Sequence, residues 1–216
     1  EVNSMRRRES GRIAGILALL VLVAGIGVGA WYFFVYTKSP QYALNQFFAA
    51  AKANNTDKVE QYVDKSGAIV GLLSTAASMN PSMANADPVR AIYPGYIDAS
   101  LGTTQKVQID SVAVEGERAR AQVTMEVAVN GKVETIKPTY VLVKTENGWK
   151  VHVQDTLFGS FNQFYSPRAR QALRNQLRAI ASSPLGSMAK SQLQGIRAEI
   201  EKYPDFAKLL REAGLL

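Results

Sequence analysis

The sequence has no cysteine and a single histidine, His152, among its 216 residues. Without thiols there is no disulfide framework, no thiolate nucleophile and no iron–sulfur ligation, so any domain must be held by its core alone. A lone histidine without companion thiols makes a poor transition-metal site, and no metal is expected. In "WKVHVQD" it shares parity with Lys150 and Gln154, opposite Trp149, Val151 and Val153, so it is expected to face away from the buried side. With no acid and nucleophile beside it in that reading, it belongs to no triad. Also missing are the phosphate loop GxxxxGK[ST] and the dinucleotide signature GxGxxG; Gly25, Gly27 and Gly29 imitate a glycine-rich loop but lie inside an apolar run. No cofactor is therefore expected. Tandem repeats and long low-complexity linkers are lacking too.

Acid is scarce at both ends of the chain. The net charge is +7 and the pI near 9.6, values that first suggest nucleic acid. Yet from Thr37 to Thr156 twelve Lys or Arg balance twelve Asp or Glu, whereas from Leu157 to Leu216 nine bases face four acids. The excess is local to the tail and to a basic leader, residues 1–12, and a neutral middle argues against a nucleic-acid partner.

What is present in quantity is hydrocarbon. Ile13 to Tyr36 runs twenty-four residues without a charge, and at about 1.5 Å per residue such a helix covers roughly the 30 Å of a bilayer core. Arg6, Arg7, Arg8 and Arg12 precede it while only Lys38 follows closely, which predicts a cytoplasmic N-terminus and an external main domain. Trp31, Tyr32 and Tyr36 gather at the exit end, where amphipathic rings suit the headgroups. The rival reading is a cleaved signal peptide at Val28-Gly29-Ala30, but the apolar run continues past that site. The expectation is a single-pass protein of a bacterial inner membrane, with its main domain periplasmic or extracellular. Ala14, Ala18, Val21, Gly25 and Gly29 share one face of this helix and would let a neighbouring helix approach closely.

Residues 39–156 divide into a helical half and a sheet half. "SPQYALNQFFAAAKANN" carries a Ser39 cap and Pro40 in the first turn, with Tyr42, Ala43, Phe47, Ala50 and Ala51 forming an apolar face. A second helix starts at Asn55 or Thr56 and turns Val59, Tyr62 and Val63 inward; a third spans Ala68 to Leu73. "STAASMNPSMANADP", residues 74–88, reads as a loose connection. In residues 118–129, Ala119, Ala121, Val123, Met125, Val127 and Val129 alternate with mostly polar residues, a half-buried strand. Turns at Glu115-Gly116, Asn130-Gly131 and Asn147-Gly148 separate four antiparallel strands near 105–114, 118–129, 133–144 and 149–155. Pro138 inside the third implies an edge or a bulge. The plan is α+β.

The stretch "SPQYALNQFFAAAKANNTDKVEQYVD" and the closing "YVLVKTENGWKVH" hairpin resemble the nuclear-transport-factor-2-like superfamily, and more narrowly its bacterial membrane-anchored members of uncharacterised families. The resemblance covers residues 39–156. It implies a cone in which helices pack into a strongly bent antiparallel sheet, and it leaves activity open, because the superfamily mixes enzymes, ligand pockets and assembly modules. Its enzymes set Asp, Tyr or His groups into the cone, where an apolar cavity raises a carboxyl pKa or strengthens an oxyanion hydrogen bond. The candidate pocket residues here are Tyr62, Asp64, Tyr93, Tyr96 and Asp98, from the helical side of the mouth. No spacing among them singles out a base and its electrophilic partner, so no catalytic residue is assigned.

Residues 157–216 form a helical extension. In "SPRARQALRNQLRAIA", Ser166 is a cap, and Ala169, Leu173, Leu177 and Ile180 form an apolar stripe; Arg170, Arg174 and Arg178, with Arg168 nearby, form a basic one. That basic face is expected to meet anionic lipid or an acidic protein surface, or simply to be solvated. A further helix along Leu193, Ile196, Ile200 and Tyr203 stops at Pro204, before "DFAKLLREAGLL" adds a terminal one. The functional expectation is a membrane-anchored accessory or scaffold subunit that joins an integral membrane complex or a homo-oligomer through its membrane helix and C-terminal helices. The alternative is a cone that binds or transforms a small hydrophobic molecule.

Overall fold

A computed structural model of the chain describes residues 35–79, 88–93, 103–129, 132–165, 167–184 and 186–216. The Ser39 hydroxyl accepts the Tyr42 N–H at 3.1 Å, and Pro40 opens helix α1, Pro40–Lys52. Its buried face is Ala43, Leu44, Phe47, Ala50 and Ala51, while Tyr42 is only half-buried. Asn54, at φ 50, turns the chain, a conformation that Asn tolerates better than most residues. Asn55 then caps helix α2, Thr56–Gln61, through the Lys58 N–H at 3.0 Å. A two-residue strand β1, Val63–Asp64, leads into α3, Ala68–Met79, which takes in residues 74–79 of the expected connection; α4 is Pro88–Ala91.

Among the described residues, six strands make one curved, open sheet in the order β1-β6-β5-β3-β2, with β4 also on β3. The strands are β2 Thr103–Glu115, β3 Arg118–Val129, β4 Lys132–Ile136, β5 Thr139–Thr145 and β6 Gly148–His152. The α+β expectation holds, and β3 buries Ala119, Ala121, Val123, Met125 and Val127 as its alternation predicts. The expected third strand, 133–144, is two strands. β4 and β5 run successively along β3, and the chain breaks at Lys137-Pro138, where the Pro138 carbonyl accepts the Val123 N–H at 3.1 Å. β2 shifts register between Thr104 and Lys106 and again between Ile109 and Ser111, irregularities of the kind that bend a sheet. β1 pairs in parallel with β6, Val63 opposite Val151, a long-range contact that no local pattern announces.

The last strand also ends early. Instead of continuing to residue 155, the chain turns at His152 into helix α5, Val153–Gly159, followed by α6, Phe161–Phe164. β5 keeps β3 on one side, but on the other side its strand pairing stops at Leu142 opposite Val151, although the backbone beyond is buried and must be paired. Two hydroxyls, one in α5 and one at its C-cap, take the strand's place. Thr156 Oγ1 accepts the Val141 N–H at 3.0 Å and donates to the Val141 carbonyl at 3.3 Å; Ser160 Oγ accepts the Thr139 N–H at 2.9 Å and donates to its carbonyl at 3.1 Å. Four helical residues rise about 6 Å and two strand residues about 6.6 Å, so hydroxyls four apart on a helix match alternate residues on a strand.

The tail continues as α7 Pro167–Ala181, α8 Gly186–Gly195, α9 Arg197–Ile200 and α10 Pro204–Glu212. Ile200, Tyr203, Phe206, Ala207, Leu209, Leu210 and Leu215 join the same hydrophobic core as α1 and the sheet. Phe206 packs on Phe158 at 4.5 Å between ring centres and on Phe161 at 5.7 Å. Pro204, expected as a stop, is instead the first residue of α10. Among the described residues no helix is long and apolar enough to cross a membrane; Ile13 to Phe34 lie outside them.

The hydroxyl ladder yields a test. Thr156→Val preserves shape but leaves the Val141 N–H buried and unpaired, a loss of about 1–3 kcal/mol. Urea denaturation should show that loss, with Thr135→Val on the exposed side of β4 close to wild type.

Candidate functional site

Of the expected pocket residues, Tyr96 and Asp98 lie outside the described residues, as do the membrane-helix positions Ala14, Ala18, Val21, Gly25 and Gly29. Tyr62 and Asp64 flank the buried Val63. The Tyr62 carbonyl accepts the Val151 N–H at 2.8 Å, and burial, with Tyr42 nearby, raises its phenol. Asp64 accepts both the N–H and the hydroxyl of Ser66 at 2.9 Å, a local turn leading into α3. Tyr93 stands edge-on to Phe47 at 5.9 Å. The helix-covered face of the sheet is filled with rings. Tyr140 is fully buried, with Phe48 at 5.1 Å, Phe164 at 5.8 Å and Phe47 at 6.2 Å. Its hydroxyl donates to the Ile92 carbonyl at 2.6 Å, and burial holds its phenol well above its ordinary range.

A polar constellation sits instead where β6 becomes α5. His152 does not point freely away from the core: its side chain is 13% exposed and has an acid beside it. Its Nδ1 lies 3.3 Å from the Asp155 N–H and 3.1 Å from Asp155 Oδ2. A neutral ring therefore caps the helix as an acceptor, and a protonated one pairs with the carboxylate. Arg118, from the start of β3, also donates to Asp155 Oδ2, and the Tyr203 hydroxyl donates to Oδ1. Burial alone would raise the Asp155 carboxyl. The hydrogen bonds from His152 and Tyr203, the His152 charge and the hydrogen bond from Arg118 outweigh it and hold the group well below the usual carboxylate range. Tyr203 moves the other way, raised by burial and by donating to Asp155.

The neighbouring Gln154, expected to face solvent, is 1% exposed. Its Oε1 accepts the Ile69 and Val70 N–H groups at 2.9 and 3.4 Å, capping α3 from 85 and 84 residues away. Its Nε2 donates to Glu199 at 2.9 Å and to the Tyr203 hydroxyl at 3.3 Å. Gly67 makes room: at φ +126 it takes a conformation that suits glycine, and a Cβ there would lie 2.3 Å from Gln154 Oε1. Asp155 and its partners form an acid with matched donors, a set that can hold charge and fix three segments of chain together. One signal for it stood in the sequence, since His152-x-x-Asp155 has the spacing of a helix cap with an acid at the third helical position.

The basic helix faces the terminal helix. Arg174 Nη2 reaches Glu212 Oε2 at 2.7 Å, and Arg178 Nε donates to the Glu212 carbonyl oxygen at 3.1 Å. Arg170 donates to Asn162 Oδ1, and Arg168 is exposed. The expected cap Ser166 lies outside the described residues.

Two measurements follow from the junction. A depressed carboxyl contributes stability above its unfolded value of about 3.9 and loses it as pH falls from there. Wild type should therefore weaken steadily in urea midpoints from about pH 5 downward, whereas Asp155→Asn should start weaker at neutral pH and show a shallower acid limb. Gln154→Met should cost about 2 kcal/mol or more at any pH, because it strands buried amides of α3, and calorimetric melting would register it.

No protein-family model matches the chain, and no curated protein does. Two solved structures are similar to part of it. One is a Campylobacter jejuni protein described as an NTF2-like transpeptidase, with a TM-score of 0.32, 15% identity and coverage of 53% of this chain and 98% of that one. The other is the intermembrane space region of the chloroplast protein ARC6, with a TM-score of 0.29, 18% identity and coverage of 52% and 88%.

Proposed function

We propose that this chain is a membrane-anchored, extracytoplasmic module of the nuclear-transport-factor-2-like cone type, acting as an accessory or scaffold subunit of a membrane protein assembly. The observation that carries this reading is the ring-filled interior. Phe47, Phe48, Tyr140 and Phe164 occupy the helix-covered face of the sheet, and the Tyr140 hydroxyl is committed to a backbone carbonyl. A face packed in this way turns function outward, to the surfaces of the domain and its helices. The uncharged run Ile13 to Tyr36, with four arginines before it, supports the anchor and its orientation. Of the α7 arginines, the exposed Arg168 supports contact with anionic lipid or an acidic partner.

Gentle solubilisation of the full chain, followed by sizing and mass identification of what travels with it, tests the proposal. A defined complex or homo-oligomer is expected. A lone monomer carrying a small apolar molecule would overturn the reading in favour of a ligand-binding cone. Gly25→Leu with Gly29→Leu should preserve membrane insertion, since apolarity increases, but reduce partner yield by separating close-packed helices.

A further inference from the structure

The arginines of α7 are not equivalent. Arg174 and Arg178 are both bound to Glu212 of α10. Arg170 makes no ion pair among the described residues; its charge meets only the neutral Asn162. It borders an open cleft of about 100 Å³ between α6, α7 and α10, together with Asn162, Arg174, Asp205, Lys208 and Glu212. That volume is room for a few waters or one compact group. The buried Phe161 and Leu209 also line it, and apolar walls strengthen any charge interaction made against them.

Two features give the cleft a preference for anions. The first is the Arg170 guanidinium, half-buried at the cleft and with no acid paired to it among the described residues. Lys208 is held only loosely, its ammonium 4.0 Å from Glu212 and its side chain 73% exposed. A guanidinium fork beside a movable ammonium matches a tetrahedral oxyanion, the fork giving paired hydrogen bonds and the lysine a point charge. Opposing this, Asp205 borders the same cleft and makes no ion pair among the described residues.

We infer that this cleft binds a phosphate-class oxyanion through Arg170 and Lys208, and that Asp205 limits the affinity. The chemistry is shared by free inorganic phosphate and by the phosphodiester of a lipid headgroup. The site rests on the cleft's own geometry and not on the anchoring proposal, so either can fail without the other.

Calorimetric titration of the full chain in maltoside detergent, first with inorganic phosphate and then with glycerophosphoglycerol, the soluble diester headgroup of phosphatidylglycerol, tests it. Saturable binding of at least one of them is expected; preference for the first identifies free phosphate, and preference for the second a lipid headgroup. Arg170→Gln should weaken binding about 10- to 100-fold, the worth of charge-assisted hydrogen bonds. Asp205→Asn should tighten it several-fold, a gain that a merely damaged fold would not produce, and Arg168→Gln should leave it unchanged. Absence of saturable binding to both ligands, or equal binding by wild type and Arg170→Gln, would overturn the inference.

Discussion

A buried strand backbone must have partners, and at the inner end of β5 those partners are the hydroxyls of Thr156 and Ser160. That requirement holds α5 side-on against the sheet, and the neighbouring residues of α5 then have fixed directions. Gln154 reaches the N-terminus of α3 and the segment around Glu199; Asp155 reaches Arg118 on β3 and Tyr203 before α10. One turn of helix thus ties sheet, helical layer and tail together. The polar bonds set direction, and the apolar cluster around Phe158, Phe161 and Phe206 supplies the burial that offsets the ordering of the tail.

The elements that depend on local chemistry could be read from the sequence. Ser39-Pro40 and Asn55 announce their helices, and the alternation from Arg118 to Val127 declares both the strand and its buried side. The switch at His152 could not be read in the same way. Trp149, Val151 and Val153 keep a period of two straight through it, because Val153 is buried whether the chain continues as strand or turns into helix. What decides is the pairing need of β5, a tertiary demand that overrides local pattern.

The polar junction was hidden for a related reason. Arg118, Asp155 and Tyr203 are 37 and 48 residues apart, and no spacing rule joins them. Likewise the four-residue repeat of Arg170, Arg174 and Arg178 shows that they share a side of α7. Which side meets another part of the chain depends on Glu212, far along the sequence. Residues 157–216 look like an extension in sequence, yet Ile200, Tyr203, Phe206 and Leu210 belong to the same core cluster as Phe47 and Tyr140.

The long span of the Gln154 bonds also bears on how the chain reaches its fold. The hairpins of β2 with β3 and of β5 with β6 close through short loops and can form early. The junction joins residues 69, 154 and 199, so its loop-closure entropy is met before its bonds reward it. During synthesis the meander would emerge with its apolar face uncovered, and α3 would wait for a cap from a residue not yet made. Only when the segment carrying Ile200 to Leu215 has left the ribosome are these parts of the core present, so the interval before then is when the chain is most exposed to aggregation.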